Sequence, residues 1–124
     1  MDENLPIFLQ IAAHLESDIL SGTLHEHAQV PSTNEFAAFH RINPATAGRG
    51  INLLVDEGVL YKKRGVGMFV APGARERLVQ KHRARFPGDY IVPLVAEAEK
   101  LGIPDSQLIE MIAREHADEG GEPA

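Results

Sequence analysis

Pro31-Ser32-Thr33-Asn34-Glu35 opens a stretch that continues through Phe36-Ala37-Ala38-Phe39-His40 and Arg41-Ile42-Asn43-Pro44-Ala45-Thr46. It then runs as Ala47-Gly48-Arg49-Gly50-Ile51-Asn52-Leu53-Leu54-Val55-Asp56-Glu57-Gly58 and closes on Tyr61-Lys62-Lys63-Arg64-Gly65-Val66-Gly67-Met68-Phe69-Val70. Ser32 with Glu35 three residues on is a capping box, in which each residue satisfies a backbone N–H of the other. It starts a short helix whose apolar face is Phe36, Ala37 and Phe39. Arg41-Ile42 forms the turn. Asn43 is an N-cap, and Pro44 falls at the first helical position, where its missing N–H removes no bond. Ala47, Ile51, Leu54 and Val55 recur at helical spacing and pack inward, whereas Thr46, Arg49, Gly50 and Asn52 lie largely elsewhere on the cylinder. Gly58 stops this second helix. Val59–Lys62 and Met68–Val70 read as short strands around Gly65-Val66-Gly67.

Two capped short helices followed by a basic β-hairpin make a winged helix-turn-helix pattern. Upstream, Ile7, Ile11, Leu15 and Ile19 recur every four residues and place a helix over Leu5–Ser21, ended by Gly22. Thr23–Gln29 is a polar connection. Ala71-Pro72-Gly73 breaks the pattern and marks a boundary. Beyond it, a basic helix covers Ala74–Phe86 and is interrupted near Pro87-Gly88. A further helix spans about Tyr90–Leu101, and a last one starts at Pro104-Asp105-Ser106. Residues from Asp118 onward form a polar, frayed end. The expected fold class is mainly α with a small β-hairpin. A winged helix-turn-helix domain covers residues 1–72, and a helical dimerisation region covers 73–124.

The 124-residue chain has a formal net charge of −6, which at first opposes an anionic partner. Its distribution reverses that reading. Residues 1–40 hold six acids and no Lys or Arg, and residues 86–124 hold nine acids against two bases. The bases gather between them, five in 41–64 and five in 75–85. On this reading the positive charge sits on the second helix of the pair, on the hairpin and just behind it. There is no cysteine, which excludes disulfides and thiol chemistry. The start, Met1-Asp2-Glu3-Asn4-Leu5-Pro6, is acidic and unlike a secretion signal, and no apolar run approaches the roughly 20 residues of a membrane span. A cytoplasmic protein without a membrane partner is expected.

A DNA major groove admits one α-helix, presented by its N-terminal turn. Here that turn carries Asn43, Ala45 and Thr46, with Arg49 one turn further. Short side chains permit close approach, and Arg49 can reach a phosphate or a guanine. The Ser32-Thr33 end of the preceding helix offers free N–H groups and hydroxyls to a phosphate. Lys62, Lys63 and Arg64 sit on the wing, where Arg64-Gly65 can enter a narrow minor groove.

The order and spacing of these parts resemble the DNA-binding domain of the GntR family of bacterial transcription regulators. The runs that carry the likeness are Pro6-Ile7-Phe8-Leu9-Gln10-Ile11, Ile19-Leu20-Ser21-Gly22-Thr23-Leu24, Val30-Pro31-Ser32, Glu35-Phe36-Ala37 and Gly65-Val66-Gly67-Met68-Phe69-Val70. Asn43-Pro44-Ala45-Thr46 and the short tail with Glu97-Ala98-Glu99-Lys100-Leu101-Gly102-Ile103 resemble its YtrA-like branch. The resemblance implies phosphate contacts at Ser32 and Thr33. It places Asn43, Thr46 and Arg49 at recognition-helix contact positions and Arg64-Gly65 at the wing tip. Three residues depart from the family pattern. Asn34 stands where many members carry arginine, so that contact is shortened or lost. His40 replaces an apolar residue. Arg41 replaces a turn glycine and can add a phosphate contact of its own.

Residues 74–117 are too few for a large independent core. Phe86, Ile91, Leu94, Val95, Leu101, Leu108, Met111 and Ile112 would nevertheless present an extended apolar surface, an aggregation hazard if left wet. A two-fold homodimer through these helices hides it and sets two recognition helices about one DNA turn apart on a palindromic operator. The competing arrangement folds the tail back on its own winged domain. A small-molecule effector, if one is used, is expected at the seam between winged domain and tail.

Other chemistries fit less well. His25-x-His27 lacks a third metal ligand at a recognisable spacing and reads as a solvated loop. The acids Glu115, Asp118, Glu119 and Glu122 read as a solvated tail rather than a catalytic set. Gly65-x-Gly67 lacks the strand-to-helix context of a nucleotide fingerprint. No nucleophile, base and orienting group converge, so an enzyme is not expected, and neither a metal nor a cofactor is implied. The resemblance and the placement of bases point to a sequence-specific DNA-binding transcription regulator, most simply a repressor. The alternative is a winged-helix module that binds protein instead, since fold alone does not fix function.

Overall fold

The computed structural model describes residues 5–121, with side chains described as far as Asp118. Helix α1 spans Ile7–Leu20, followed by strand β1 (Gln29–Val30), helix α2 (Thr33–His40), helix α3 (Pro44–Asp56), and strands β2 (Leu60–Lys63) and β3 (Gly67–Val70). Helix α4 covers Ala74–Phe86, a π-helical turn Pro87–Ile91, α5 Val92–Lys100 and α6 Asp105–Gly121. Contacts divide the chain into two compact units, Met1–His82 and Arg83–Ala124.

The first unit packs α1, α2 and α3 around one core, with the sheet closing its side. Ile11, Leu15 and Ile19 of α1 meet Phe36 and Ala37 of α2, Ala47, Ile51 and Leu54 of α3, and Leu60 and Val70 of the strands, all buried. The sheet has three antiparallel strands in the order β1-β3-β2, not the hairpin alone. Gln29 faces Phe69, and Val30 faces Met68. A two-residue strand shows no alternation to read, so β1 emerges only when β3 is there to pair with it.

Several inward and outward assignments change. Gly50 is buried rather than on the free side of α3. A Cβ built there would lie 2.6 Å from the Phe8 carbonyl oxygen and 3.0 Å from Ile11 Cγ2, so α1 rides directly on α3 at this point. Phe39, expected on the apolar face of α2, is 83% exposed. The core takes Phe36 and Ala37 and leaves the last turn of α2 outside, with Phe39 edge-on to the His40 ring at 5.0 Å between centroids. The first compact unit also runs past Gly73, because Ala74 and Leu78 of α4 are buried in the same core.

In the second unit Pro87-Gly88 does not interrupt the helix. Phe86 and Val92 both hold right-handed helical angles, and Val92 N–H donates to Pro87 O. That i→i+5 bond belongs to a single π-turn, a known way to carry a helix through a residue that cannot donate. Gly102 and Ile103 separate α5 from α6, with Ile103 N–H donating to Ala98 O at 2.9 Å. Helix α6 continues to Gly121, past the expected start of fraying at Asp118; residues 122–124 of that segment lie outside the described residues.

Candidate nucleic-acid interface

At the start of α2 the capping box forms in full. Ser32 Oγ accepts from Glu35 N–H at 3.1 Å, and Glu35 Oε1 accepts from Ser32 N–H at 3.2 Å. The site therefore offers less than the sequence suggested. The Ser32 and Glu35 amides are already satisfied, leaving those of Thr33 and Asn34 together with the Ser32 hydroxyl proton. Thr33 is half-buried, and a Cβ at Gly48 would stand 3.4 Å from its Cγ2, so the absence of a side chain at Gly48 lets the two helices approach.

Arg41 caps the far end of α2 in the left-handed conformation, with φ 56° and ψ 50°, and donates its N–H to Ala37 O. A side chain there costs about 1 kcal/mol or more that glycine would not incur. The turn thus keeps the glycine geometry without the glycine. Arg41→Gly is expected to stabilise the protein by about 1 kcal/mol, read as a higher urea midpoint. An unchanged or lower midpoint would show that the arginine side chain compensates locally.

Asn43 Oδ1 accepts from Ala45 N–H at 2.7 Å, which commits the carbonyl end of the side chain to capping α3 and leaves the amide NH2 for a ligand. Asn43 at the cap of α3 and Ala45 and Arg49 on one face of it are exposed, and Thr46 is half-buried. The Arg49 guanidinium carbon lies 3.9 Å from the centroid of the Phe8 ring, a contact that joins α3 to the first turn of α1.

The wing is more built than a bare hairpin. Leu60 pairs with Val70 and faces the core, while Tyr61 pairs with Phe69 on the other face, their rings stacked at 5.6 Å. Lys63 Nζ sits 5.5 Å from the Phe69 centroid, and His27 Nδ1 is 2.9 Å from Tyr61 Oη. Val66 N–H donates to Lys63 O to close the turn through Arg64 and Gly65, both exposed. Gln29 Nε2 donates to Val66 O at 3.1 Å, tethering the tip to β1. Gly67 has φ 144°, and a Cβ there would collide with that same Gln29 amide at 2.5 Å. Nothing in their local sequence assigns Gln29, Phe69 or Phe8 to the site. They matter through partners 37 residues away for Gln29 and 41 away for Phe8.

The basic segment after the wing behaves differently from expectation. Arg75 Nε donates to Leu20 O at the end of α1, and Arg77 Nη1 to Gly58 O beyond the end of α3. Both satisfy carbonyls at helix ends, where a cation is favoured. Lys81 donates to Glu16 Oε2 at 2.8 Å and to Glu57 Oε1 at 3.3 Å, and His82 Nε2 lies 3.0 Å from Glu16 Oε1. These bases hold α4 to the winged unit. Arg41, Arg49 and the wing residues Lys62, Lys63 and Arg64 stay exposed, as do Arg83 and Arg85 farther along α4. His25-x-His27 gathers no further ligand, and no metal-binding cluster is present among the described residues.

An exposed helix start on α3 together with a basic, tethered wing makes a winged helix-turn-helix unit of the kind that reads duplex DNA. The match is to a family model described as bacterial regulatory proteins, gntR family, over residues 8–70, and the chain belongs to that family. It is a family of DNA-binding transcription regulators rather than of enzymes. Among its relatives, the HTH-type transcriptional repressor YtrA of Bacillus subtilis (strain 168) is 27% identical over 94% of this chain and 88% of its own. The repressor NagR of the same organism is 31% identical over 78% of this chain, which spans 44% of NagR's length. A solved structure of a GntR-family putative transcriptional regulator from Bacteroides thetaiotaomicron matches with TM-score 0.67 and 32% identity, covering 89% of this chain and 99% of that one. The DNA-binding domain of AraR in complex with operator ORE1 matches with TM-score 0.52 and 31% identity, over 54% of this chain and 82% of that one. The alternative of a protein-interaction module finds no support in these likenesses. No helix among the described residues is long and apolar enough to cross a membrane.

Proposed function

We propose that this protein is a cytoplasmic transcription repressor that binds a palindromic operator as a homodimer, under the control of a small-molecule effector. The observation that carries the DNA reading is the exposed face of α3 at Ala45 and Arg49, with Asn43 at its cap, together with the exposed wing bases Lys63 and Arg64. Thr46 borders that face. Ser32, Thr33 and Asn34 take a backbone phosphate at the start of α2, Arg41 takes a second at its end, and Arg64-Gly65 meets the minor groove. Phosphate contacts set register, whereas the side chains on α3 read bases.

Dimerisation rests on the second unit taken by itself. Among its described residues Ala98 is the one buried hydrophobic, while Phe86, Ile91, Leu94, Val95, Leu101, Met111 and Ile112 are exposed and Leu108 is half-buried. An apolar surface of this extent is characteristic of an interface. Leu94→Glu is expected to convert the dimer to a monomer in light scattering, and a persistent dimer would move the interface elsewhere. Binding of random DNA at low salt, released as salt rises, tests the DNA reading. Arg64→Ala should lower the salt slope by about one, and an unchanged slope would remove the wing tip from the contact. Footprinting on the protein's own upstream region would identify the operator, and repeating it with candidate metabolites would test for the effector.

A further inference from the structure

We infer that Phe8 is a positioning residue for DNA reading: its ring holds the Arg49 guanidinium and so fixes which base pair Arg49 recognises. The inference rests on the proposed contact of Arg49 with the operator. Its structural basis starts at Gly50. A Cβ at that position would meet the Phe8 carbonyl oxygen, so a bare glycine is what brings the first turn of α1 onto α3. This approach fixes the Phe8 backbone against the residue next to Arg49. The half-buried ring then lies under the exposed guanidinium, 3.9 Å from centroid to Cζ.

Among the described residues Arg49 has no hydrogen-bond or ion-pair partner, although Asp56 lines the same open depression on α3 as Phe8 and Arg49. A planar cation over an aromatic face is attracted by the ring quadrupole, while its N–H groups remain at the edge. Arginine otherwise loses much rotamer freedom when it binds. A guanidinium already laid flat on Phe8 has lost part of that freedom before DNA arrives. Its fork is also restricted in the directions it can point, which turns a mobile cation into a directional reader. Ala45 and Gly48 border the same depression and add little bulk between this fork and the groove.

The test uses the full chain and a duplex selected from a random pool by the parent protein. Phe8→Leu keeps apolar bulk and removes the π face, Phe8→Tyr keeps the face, and Arg49→Ala removes the cation. Phe8→Leu is expected to lose roughly threefold to tenfold in affinity for the selected duplex, with little change on random DNA. Base preference should relax at the pair that becomes indifferent in Arg49→Ala, and Phe8→Tyr should restore both. In the Arg49→Ala background Phe8→Leu should have no further effect. An additive loss in that background, or an undiminished base preference in Phe8→Leu, would overturn the inference and leave Arg49 as a reader. Parental binding by Arg49→Ala would overturn both. Thermal melts matched to the parent within the series separate these outcomes from unfolding.

Discussion

Replacing Arg49 by alanine is expected to weaken binding to a selected operator by about 1–3 kcal/mol, roughly fivefold to more than a hundredfold in Kd. The side chain stands exposed on α3, with the neighbouring Ala45 leaving room for close approach to a groove. Its five donors in a planar fork suit guanine or phosphate. The two targets are separable. Loss of a base contact relaxes sequence preference at one pair and spares random DNA, whereas loss of a phosphate contact weakens all duplexes and reduces the salt slope. Fluorescence anisotropy on selected and random duplexes over a salt series reads both. Equal binding by mutant and parent would remove Arg49 from the interface.

Glu16→Ala is expected to destabilise the protein by about 2–3 kcal/mol, although the residue touches no DNA-facing element. Glu16 is 5% exposed, and its carboxylate faces Lys81 and His82 of α4. Removing one partner of a buried ion pair costs about 3–5 kcal/mol when the other charge is left stranded. Lys81 is not stranded, since it is about a third exposed and keeps Glu57 at 3.3 Å, so the loss falls at or below the bottom of that range. Urea unfolding at fixed protein concentration measures the loss, and a midpoint equal to the parent's would show the cluster to be energetically idle. The pH dependence follows from Lys81. Burial lowers its pKa, but the hydrogen bond and charge of Glu16, with the charge of Glu57, raise it above the ordinary 10.5. A raised pKa on a base gives stability that is complete below the unfolded value. It is lost only as pH climbs through the folded one, in the alkaline range. The Lys81 anchor therefore holds at neutral pH.

Much of the winged unit was legible because its signals are local. A capping box needs only residues three apart, and Ser32 with Glu35 forms it. Asn43-Pro44 starts α3, and the four-residue recurrence of Ile11, Leu15 and Ile19 names the buried face of α1. The candidate DNA contacts Asn43, Ala45, Arg49, Lys63 and Arg64 fall on exposed positions for the same reason: each element's periodicity separates its inner face from its outer one. Errors came where a second element decides the outcome. Periodicity left Gly50 free, but α1 covers it. Phe39 has the right composition for the core and lies beyond its reach. Arg75, Arg77 and Lys81 counted as charge available to DNA until Leu20, Gly58, Glu16 and Glu57 proved to be their partners.

By itself the sequence determined the starts of α2 and α3, most of the inner faces of α1 and α3, the wing hairpin and the separation of acidic from basic segments. All of these depend on interactions within about four residues or on composition along the chain. Only the tertiary structure decided that β1 joins the wing, that Gln29 tethers its tip, that Phe8 lies under Arg49 and that Arg75, Arg77 and Lys81 anchor α4. Those contacts join residues between 19 and 66 positions apart. Such contacts form only when the packed core brings distant backbones together, and no local pattern encodes which partner arrives.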